Sequence, residues 1–183
     1  MDAIEALLGR ASPPRLTSPG PSPEQLELIL ETGSRAPDHA RLQPFRFLIV
    51  EGEARDRLGE LMAASLARRE PQAGEALLAA ERAKPQRAPM LIVVVAHIQP
   101  NPKAPDIEQV VAAGAAAQNM LIAAHALGLG GFWRTGAAAY DAEVKAALGF
   151  APTDAIVGFL YFGTPTAPAP ERPVDVKPLT RRF

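Results

Sequence analysis

A polar loop with two prolines is the part of this sequence best suited to hold a ligand. Residues 33–47 read GSRAPDHARLQPFRF and lead into an apolar stretch. The prolines restrict the residues before them to extended conformations, so Arg35, His39 and Gln43 should project from an irregular, fixed backbone rather than from one helix. These side chains would present a cation, an imidazole and an amide. Loops often carry function, but the same residues also suit an ordinary solvated connection.

A second candidate for ligand chemistry is the pair Arg10 and Ser12, which follows a short N-terminal helix. The planar fork of arginine supplies two hydrogen bonds at once in a fixed geometry, which suits a phosphate, and a serine hydroxyl adds another donor. An arginine and a serine after a helix are also typical of a solvated turn. The residues alone leave both interpretations open.

A third candidate is the stretch Trp133-Arg134-Thr135. Trp133 is the only tryptophan of the chain, and its flat apolar face with one N–H suits packing beside a planar ring system. Arg134 suits a phosphate or a ring oxygen. The alternative is that Trp133 belongs to the core, as tryptophans in buried strands commonly do.

Composition limits the classes of function. The 183 residues fit one domain over residues 1–183, and a net charge of −1 gives no reason to expect nucleic acid or an anionic membrane as a partner. The absence of cysteine excludes disulfides, thiolate metal sites and a thiol nucleophile, so redox chemistry would need a bound cofactor. His97 and His125 are isolated and are interpreted as structural. The first residues do not follow the pattern of a secretory signal, so we expect a cytoplasmic protein.

Sequence periodicity and capping signals predict alternating helices and strands. Asp2 with Glu5, and Ser22-Pro23 with Gln25, are N-terminal helix signals, and Gly33 is the expected stop of the second helix. The predicted helices are 3–8, 23–32, 53–69, 73–84, 106–127 and one from Asp141 to Gly149, and the predicted strands are 45–51, 90–96, 130–135 and 155–162. The pattern is typical of an α+β fold in which a mixed sheet is covered by helices.

The glycine run from Gly128 to Gly131 is not a dinucleotide-binding fingerprint. Such a fingerprint follows a strand and opens a helix, whereas these glycines close a predicted helix and lead into a strand. We interpret them as C-cap and turn glycines.

The alanine-rich segment 110–127 is close to the roughly 18–20 residues that a membrane span needs. Gln118 and Asn119 lie in its middle and no aromatic belt flanks it, which favours a helix buried in protein. Small side chains from Gly114 to Ala117 would let another helix approach closely. In a chain of this size we expect part of that contact to come from a second subunit, with a central helix of a monomer as the alternative.

The tail from Thr164 onward is rich in proline and alanine and cannot build a core of its own. This composition predicts either a disordered end or an extended arm that lies across a surface. Lys177, Arg181 and Arg182 would add positive charge near a phosphate or remain solvated.

The order and spacing of these motifs resemble the FMN-dependent nitroreductases, in particular the compact bacterial YdjA type. The resemblance rests on Arg10-Ala11-Ser12, residues 33–47, Gly130–Gly136 and the ending Val157–Pro165, and it covers nearly the whole chain. It implies a nitroreductase-like α+β fold. It also implies a homodimer with a long central helix at the interface and a C-terminal arm, about residues 164–183, exchanged between the protomers.

The resemblance implies one FMN at each subunit interface. The implied cofactor-binding residues are Arg10, Ala11, Ser12, Trp133, Arg134 and Thr135 of one protomer and Arg35 and His39 of the other. The family motif at the start is usually Arg-Arg-Ser-x-Arg, so Ala11 stands where an arginine is usual and would leave a backbone contact. His39 could donate a hydrogen bond from a neutral imidazole. Phe45 is expected to pack in the core, with Gln43 as a possible donor behind the site.

The implied activity is ping-pong oxidoreduction. NADH or NADPH would pass hydride to FMN, and a small-molecule acceptor such as a nitroaromatic or a quinone would then take the electrons in the same space. No side chain is required as an acid or base. The alternatives are a dimeric flavin-binding module without turnover, and an enzyme of the same fold with another reaction, such as dehalogenation or flavin breakdown.

Overall fold

Six α-helices and five β-strands lie in the part of the chain that the computed structural model describes, residues 1–169 and 173–183. The helices are α1 (Ala3–Gly9), α2 (Pro23–Ser34), α3 (Ala54–Arg69), α4 (Glu75–Arg82), α5 (Asp106–Ala126) and α6 (Ala142–Ala147). The strands are β1 (Leu16–Thr17), β2 (Phe45–Glu51), β3 (Met90–Ala96), β4 (Gly130–Arg134) and β5 (Ala155–Pro165). The predicted α+β fold is confirmed.

The strands form one sheet whose main order is β2-β3-β5-β4, with β1 pairing the end of β5. All strand pairs found in the described residues are antiparallel, so the expected mixed sheet is not what these residues form. Apolar β-branched strands that are buried on both faces are typical of parallel sheets. Here helices cover both faces of an antiparallel sheet, and the burial pattern therefore did not reveal strand direction.

Strand β3 divides the core into two halves. Leu91, Val93 and Val95 face a cluster completed by α3 and α6, while Ile92 and Val94 face a cluster completed by α2 and α5. All residues of β3 are buried. The prediction that this strand is buried on both faces is confirmed.

The helix starts follow the capping signals. Asp2 with Glu5 and Ser22 with Gln25 each form a complete capping box. Gly33, however, is not the stop of α2. It lies inside the helix, where a Cβ would come 2.8 Å from Met120 Cγ, so this glycine permits close packing of α2 on α5 rather than a turn.

Helix α4 is two residues shorter at each end than the predicted helix 73–84, and a 3₁₀ turn at Lys84–Arg87 follows it. Strand β1 was not predicted, since two residues carry no periodic pattern. Gly128 has φ +79° after α5, as expected for a C-cap glycine.

Helix α5 buries alanines along its length and exposes two large apolar residues near its start. Ala113, Ala116 and Ala117 are fully buried, whereas Ile107 and Val111 are 66% and 64% exposed. In the described part of the chain, no helix has the length and apolar character that crossing a membrane requires.

Strand β5 runs three residues further than predicted, to Pro165. Thr164 pairs with Thr17 and Pro165 with Leu16, so the predicted arm begins after Pro165 rather than at Thr164. Residues 170–172 of that arm lie outside the described residues. Its exchange between protomers remains a prediction.

We predict that Gly59→Ala destabilises the fold although alanine favours helices. A Cβ at position 59 would overlap the backbone oxygen of Arg82, where α3 and α4 touch, and backbone cannot move aside as a side chain can. Overpacking of this kind should cost about 1–3 kcal/mol of unfolding free energy and lower the Tm by roughly 2–10 °C in a thermal melt. The control is Gly74→Ala, since a Cβ there meets nothing within 4 Å. A Gly59→Ala protein with the same Tm as the Gly74→Ala control would contradict the prediction.

Candidate functional site

A cleft of about 1060 Å³ lies where the end of α1, the segment after it, β4 and the C-terminal tail meet. Its described lining comprises Leu7, Leu8, Gly9, Arg10, Ala11, Ser12, Pro13, Pro14, Phe132, Trp133, Arg134, Ala169, Pro173, Val174 and Val176. The volume is at the upper end of ordinary ligand pockets. Five of the eight predicted site residues therefore share one cleft.

The Arg10–Ser12 segment is held beside β4 by packing. Its backbone leaves α1 at Arg10, whose N–H donates to the Ala6 carbonyl at 3.2 Å. Pro13 is buried against Gly130, where a Cβ would come 2.8 Å from Pro13 Cγ. The absence of a side chain at Gly130 thus lets the segment lie directly on the start of β4.

The Arg10–Ser12 segment also offers free donors. Within the described residues, the backbone N–H groups of Ala11 and Ser12 donate to no protein acceptor. Ser12 is exposed and Arg10 is partly buried. Two backbone N–H groups, a hydroxyl and a guanidinium therefore lie along one edge of the cleft.

Trp133 sits in β4 with its indole against β5. Its Nε1–H donates to the Val157 carbonyl at 3.1 Å. The neighbouring Gly158 makes this possible, because a Cβ there would overlap Nε1 and come 2.6 Å from Cδ1. The side chain is partly buried, so it belongs to the edge of the core and to the cleft wall at once.

Arg134 extends from the next position of β4 over the Phe132 ring, with its guanidinium carbon 5.5 Å from the ring centroid. Phe132 stacks in turn on Tyr161 at 4.6 Å between centroids. Burial raises the pKa of Tyr161 to about 12, which keeps its phenol neutral. The stack thus places the guanidinium of Arg134 over an aromatic ring that lines the cleft.

The charge of the cleft favours an anion. Arg10 and Arg134 are the ionisable residues in its described lining, and no aspartate or glutamate is among those residues. A phosphate placed between these arginines would gain charge-assisted hydrogen bonds.

The other predicted site residues lie elsewhere in the chain. Arg35 is the exposed C-cap of α2, and Thr135 is exposed just beyond β4. His39 lines a separate pocket of about 220 Å³ with Pro37 and part of α5. The structure of one chain thus does not bring Arg35, His39 or Thr135 into the lining of the first cleft.

The loop that carries His39 has a strained backbone. Ala40, Arg41 and Gln43 have φ values of +62°, +54° and +46°, a region that side chains other than glycine rarely adopt and that costs about 1–3 kcal/mol per residue. The Gln43 N–H donates to Asp38 Oδ2 at 2.7 Å, and Gln99 Nε2 donates to the Leu42 carbonyl at 2.9 Å. These bonds fix an irregular backbone, as predicted. The expectation that the residue before each proline is extended is wrong for Gln43, which precedes Pro44 and has a positive φ.

The partner of His39 was not foreseen. Its Nδ1 lies 2.6 Å from Glu108 Oε2 on α5. No sequence signal identifies Glu108, because the two residues are 69 positions apart and Glu108 is one of two acidic residues in the first turn of α5.

The other residues that the sequence analysis singled out lie outside the cleft lining. Phe45 is 7% exposed, so its predicted core packing is confirmed. His97 pairs with Asp154 at 3.0 Å. The cationic tail residues Lys177, Arg181 and Arg182 are exposed and are not in the described lining of the cleft, whereas the apolar Val174 and Val176 are.

The sequence and the fold both match known proteins. Residues 8–164 match the model of the Nitroreductase family. Over 167 residues, which are 90% of this chain and 89% of the relative, the sequence is 45% identical to the "Putative NAD(P)H nitroreductase YdjA" of Escherichia coli (strain K12).

Two crystal structures illustrate the similarity of fold. The nitroreductase-like family protein of Bacillus cereus superposes with a TM-score of 0.84 at 23% identity, covering 100% of this chain and 96% of the other. A "putative nitroreductase in complex with fmn" from Desulfovibrio desulfuricans superposes with a TM-score of 0.76 at 26% identity, covering 100% and 98%. The predicted family resemblance and fold are confirmed.

We predict that Gly158→Ala displaces the Trp133 indole from β5. The new Cβ would overlap Nε1 and force the indole away from the Val157 carbonyl. Because Trp133 is the only tryptophan, its fluorescence should shift to longer wavelength and become easier to quench. Gly114→Ala is the matched control, since its Cβ would meet Cη2 of the same indole at an ordinary 3.9 Å. Identical emission from both variants would refute the placement of the indole.

Proposed function

Because the chain belongs to the nitroreductase family, we propose that it is a cytoplasmic, homodimeric FMN-dependent NAD(P)H oxidoreductase that reduces a nitroaromatic, a quinone or a similar acceptor. The observation that carries the proposal is the single cleft that joins Arg10 and Ser12 to Trp133 and Arg134. Bound FMN supplies the redox centre that takes hydride from NADH or NADPH and passes electrons to the acceptor.

The residues of the cleft fit such a cofactor. Arg10, the Ser12 hydroxyl and the free N–H groups of Ala11 and Ser12 are the donors that would hold the phosphate. The side chain that an arginine would supply at position 11 is missing, but the backbone donor of Ala11 remains. Arg134 adds a second positive charge to the lining of the same cleft.

Strand β4 supplies the residues that would contact the ring system. Trp133 offers a flat, partly buried surface whose orientation is fixed by its bond to Val157 and by Gly158. Arg134 stabilises negative charge on a bound ring, and Thr135 follows it in sequence as a further hydroxyl donor. These side chains bind and orient, and none is required to transfer a proton.

The site also needs a second chain under this proposal. Arg35 and His39 are outside the cleft that contains Arg10, so we propose that they come from the partner subunit. Large exposed apolar side chains support an interface over α1 and the first half of α5. They are Ile4, Leu7, Leu8, Ile107 and Val111, each more than half exposed in the single chain.

The tail supports the same arrangement. Val174 and Val176 line the cleft although both are more than 60% exposed, as expected for a segment that still lacks part of its packing surface. We propose that this segment is the arm that contacts the partner subunit.

We predict that the purified protein binds FMN and oxidises NADH or NADPH when a nitroaromatic or a quinone is added. A flavin absorption spectrum, its bleaching by either nicotinamide under anaerobic conditions, and the mass in solution test the three parts of the proposal. Flavin that binds but is not reduced would favour a binding module without turnover. Bleaching that no nitroaromatic or quinone reverses would favour another reaction on the same fold. A protein that cannot be reconstituted with FMN would contradict the proposal.

We predict that Arg10→Gln weakens the binding of FMN at least tenfold but hardly changes the binding of riboflavin, which has no phosphate. Loss of a charge-assisted hydrogen bond costs about 1.5–3 kcal/mol. Flavin fluorescence titrations measure both affinities. Arg57→Gln serves as the control because Arg57 is an exposed arginine of α3 outside the described cleft lining. Equal losses for FMN and riboflavin would show that Arg10 does not bind the phosphate.

A further inference from the structure

A carboxylate on α5 holds the imidazole of His39 in one orientation. Glu108 Oε2 lies 2.6 Å from His39 Nδ1 and ties the strained loop to the first turn of the long helix. The distance is that of a strong, charge-assisted hydrogen bond.

The carboxylate of Glu108 determines which ring nitrogen of His39 carries the proton. A carboxylate can only accept, so Nδ1 of His39 carries the proton that it donates to Glu108. A neutral imidazole then has no second N–H, and its Nε2 on the far side of the ring is an acceptor. The expectation that neutral His39 donates a hydrogen bond to the flavin therefore does not agree with this contact.

The surroundings of the Glu108–His39 pair favour a partner molecule that covers it. His39 and Glu108 are 54% and 46% exposed in the single chain, and pairs that are so exposed usually contribute little to stability. Pro37, Ile107 and Val111 line the same small pocket. When a partner covers these apolar side chains, water leaves and the hydrogen bond of the pair becomes stronger.

We propose that Glu108 is a positioning residue of the flavin site. It holds His39 in the Nδ1–H tautomer, so that Nε2 accepts a hydrogen bond from a ring N–H of the isoalloxazine, and its carboxylate brings a negative charge close to that contact. This inference rests on the proposed function. It makes His39 a hydrogen-bond acceptor toward the flavin, and it makes Glu108 the residue that fixes the tautomer of His39.

The tautomer can be measured without any flavin. The chain has three histidines, so a ¹⁵N-histidine NMR spectrum is simple to assign with single-histidine variants. At a pH of about 8.5, above the range in which histidine ordinarily titrates, we expect His39 to carry its proton on Nδ1 in the wild type and to show mixed tautomers in Glu108→Gln. His97, whose Nδ1 faces Asp154, is the internal control. A wild-type His39 protonated on Nε2 would overturn the inference, even if the variant does not fold.

Flavin binding supplies the second measurement. We expect Glu108→Gln to bind FMN about tenfold more weakly and to shift the flavin midpoint potential to more positive values, because a negative charge that opposes reduction is lost. A merely structural role would not move the potential. Asp106→Asn is the matched control, since it removes one carboxylate from the same exposed turn of α5 without touching His39.

The outcomes separate the two proposals. If the wild type fails to bind FMN, the proposed function is wrong, while the NMR result still decides the state of the Glu108–His39 pair. If the wild type binds FMN and Glu108→Gln retains both its affinity and its potential, the role of Glu108 is refuted and the proposed function stands.

Discussion

The approach of the Trp133 indole to strand β5 is the contact on which the geometry of the cleft depends. Gly158 leaves the space, the Val157 carbonyl accepts the indole N–H, and the indole is thereby fixed against β5, with which β4 pairs. At the other end of the same strand, Gly130 lets Pro13 lie on the backbone. Two glycines in neighbouring strands thus determine where a flat aromatic surface and an arginine-bearing segment meet.

The second constraint is that one chain does not bring all the proposed site residues into one cleft. Arg10 and Trp133 share a cleft, whereas His39 is fixed near the start of α5 by Glu108 and by a network that reaches the buried Gln109 through Gln99. The strained loop is costly, and it is held by hydrogen bonds rather than by apolar burial. This is expected where side chains must be presented outward to another molecule.

Local signals predicted the elements, and longer-range packing decided what the sequence could not show. Capping boxes at Asp2 and Ser22 and the apolar run of β3 specify their elements through neighbouring residues, so they were predictable. Gly33 was misread as a stop, because its role depends on Met120 in another helix. Strand direction was also not predictable, since burial on both faces is compatible with either direction.

The residues of the candidate site also divide into those that the sequence could identify and those that it could not. Arg10, Ser12 and the Trp133–Thr135 stretch were recognisable because they form ordered motifs. Glu108 was not, because its importance comes only from the distance to His39 across 69 positions. Gly158 was likewise part of an apolar strand in which nothing marks the contact with Trp133.

The central claim, that each site combines Arg10 of one chain with His39 of another, is tested most directly by subunit mixing. Arg10→Gln and His39→Ala proteins would each be expected to bind FMN poorly. After the two are unfolded and refolded together in equal amounts, about a quarter of all sites should contain neither substitution, because half of the dimers are mixed and each mixed dimer has one intact interface site. Recovery of wild-type FMN affinity and nicotinamide oxidation in that fraction is the predicted result. A mixture that binds FMN and oxidises the nicotinamide no better than the two separate proteins would contradict this claim.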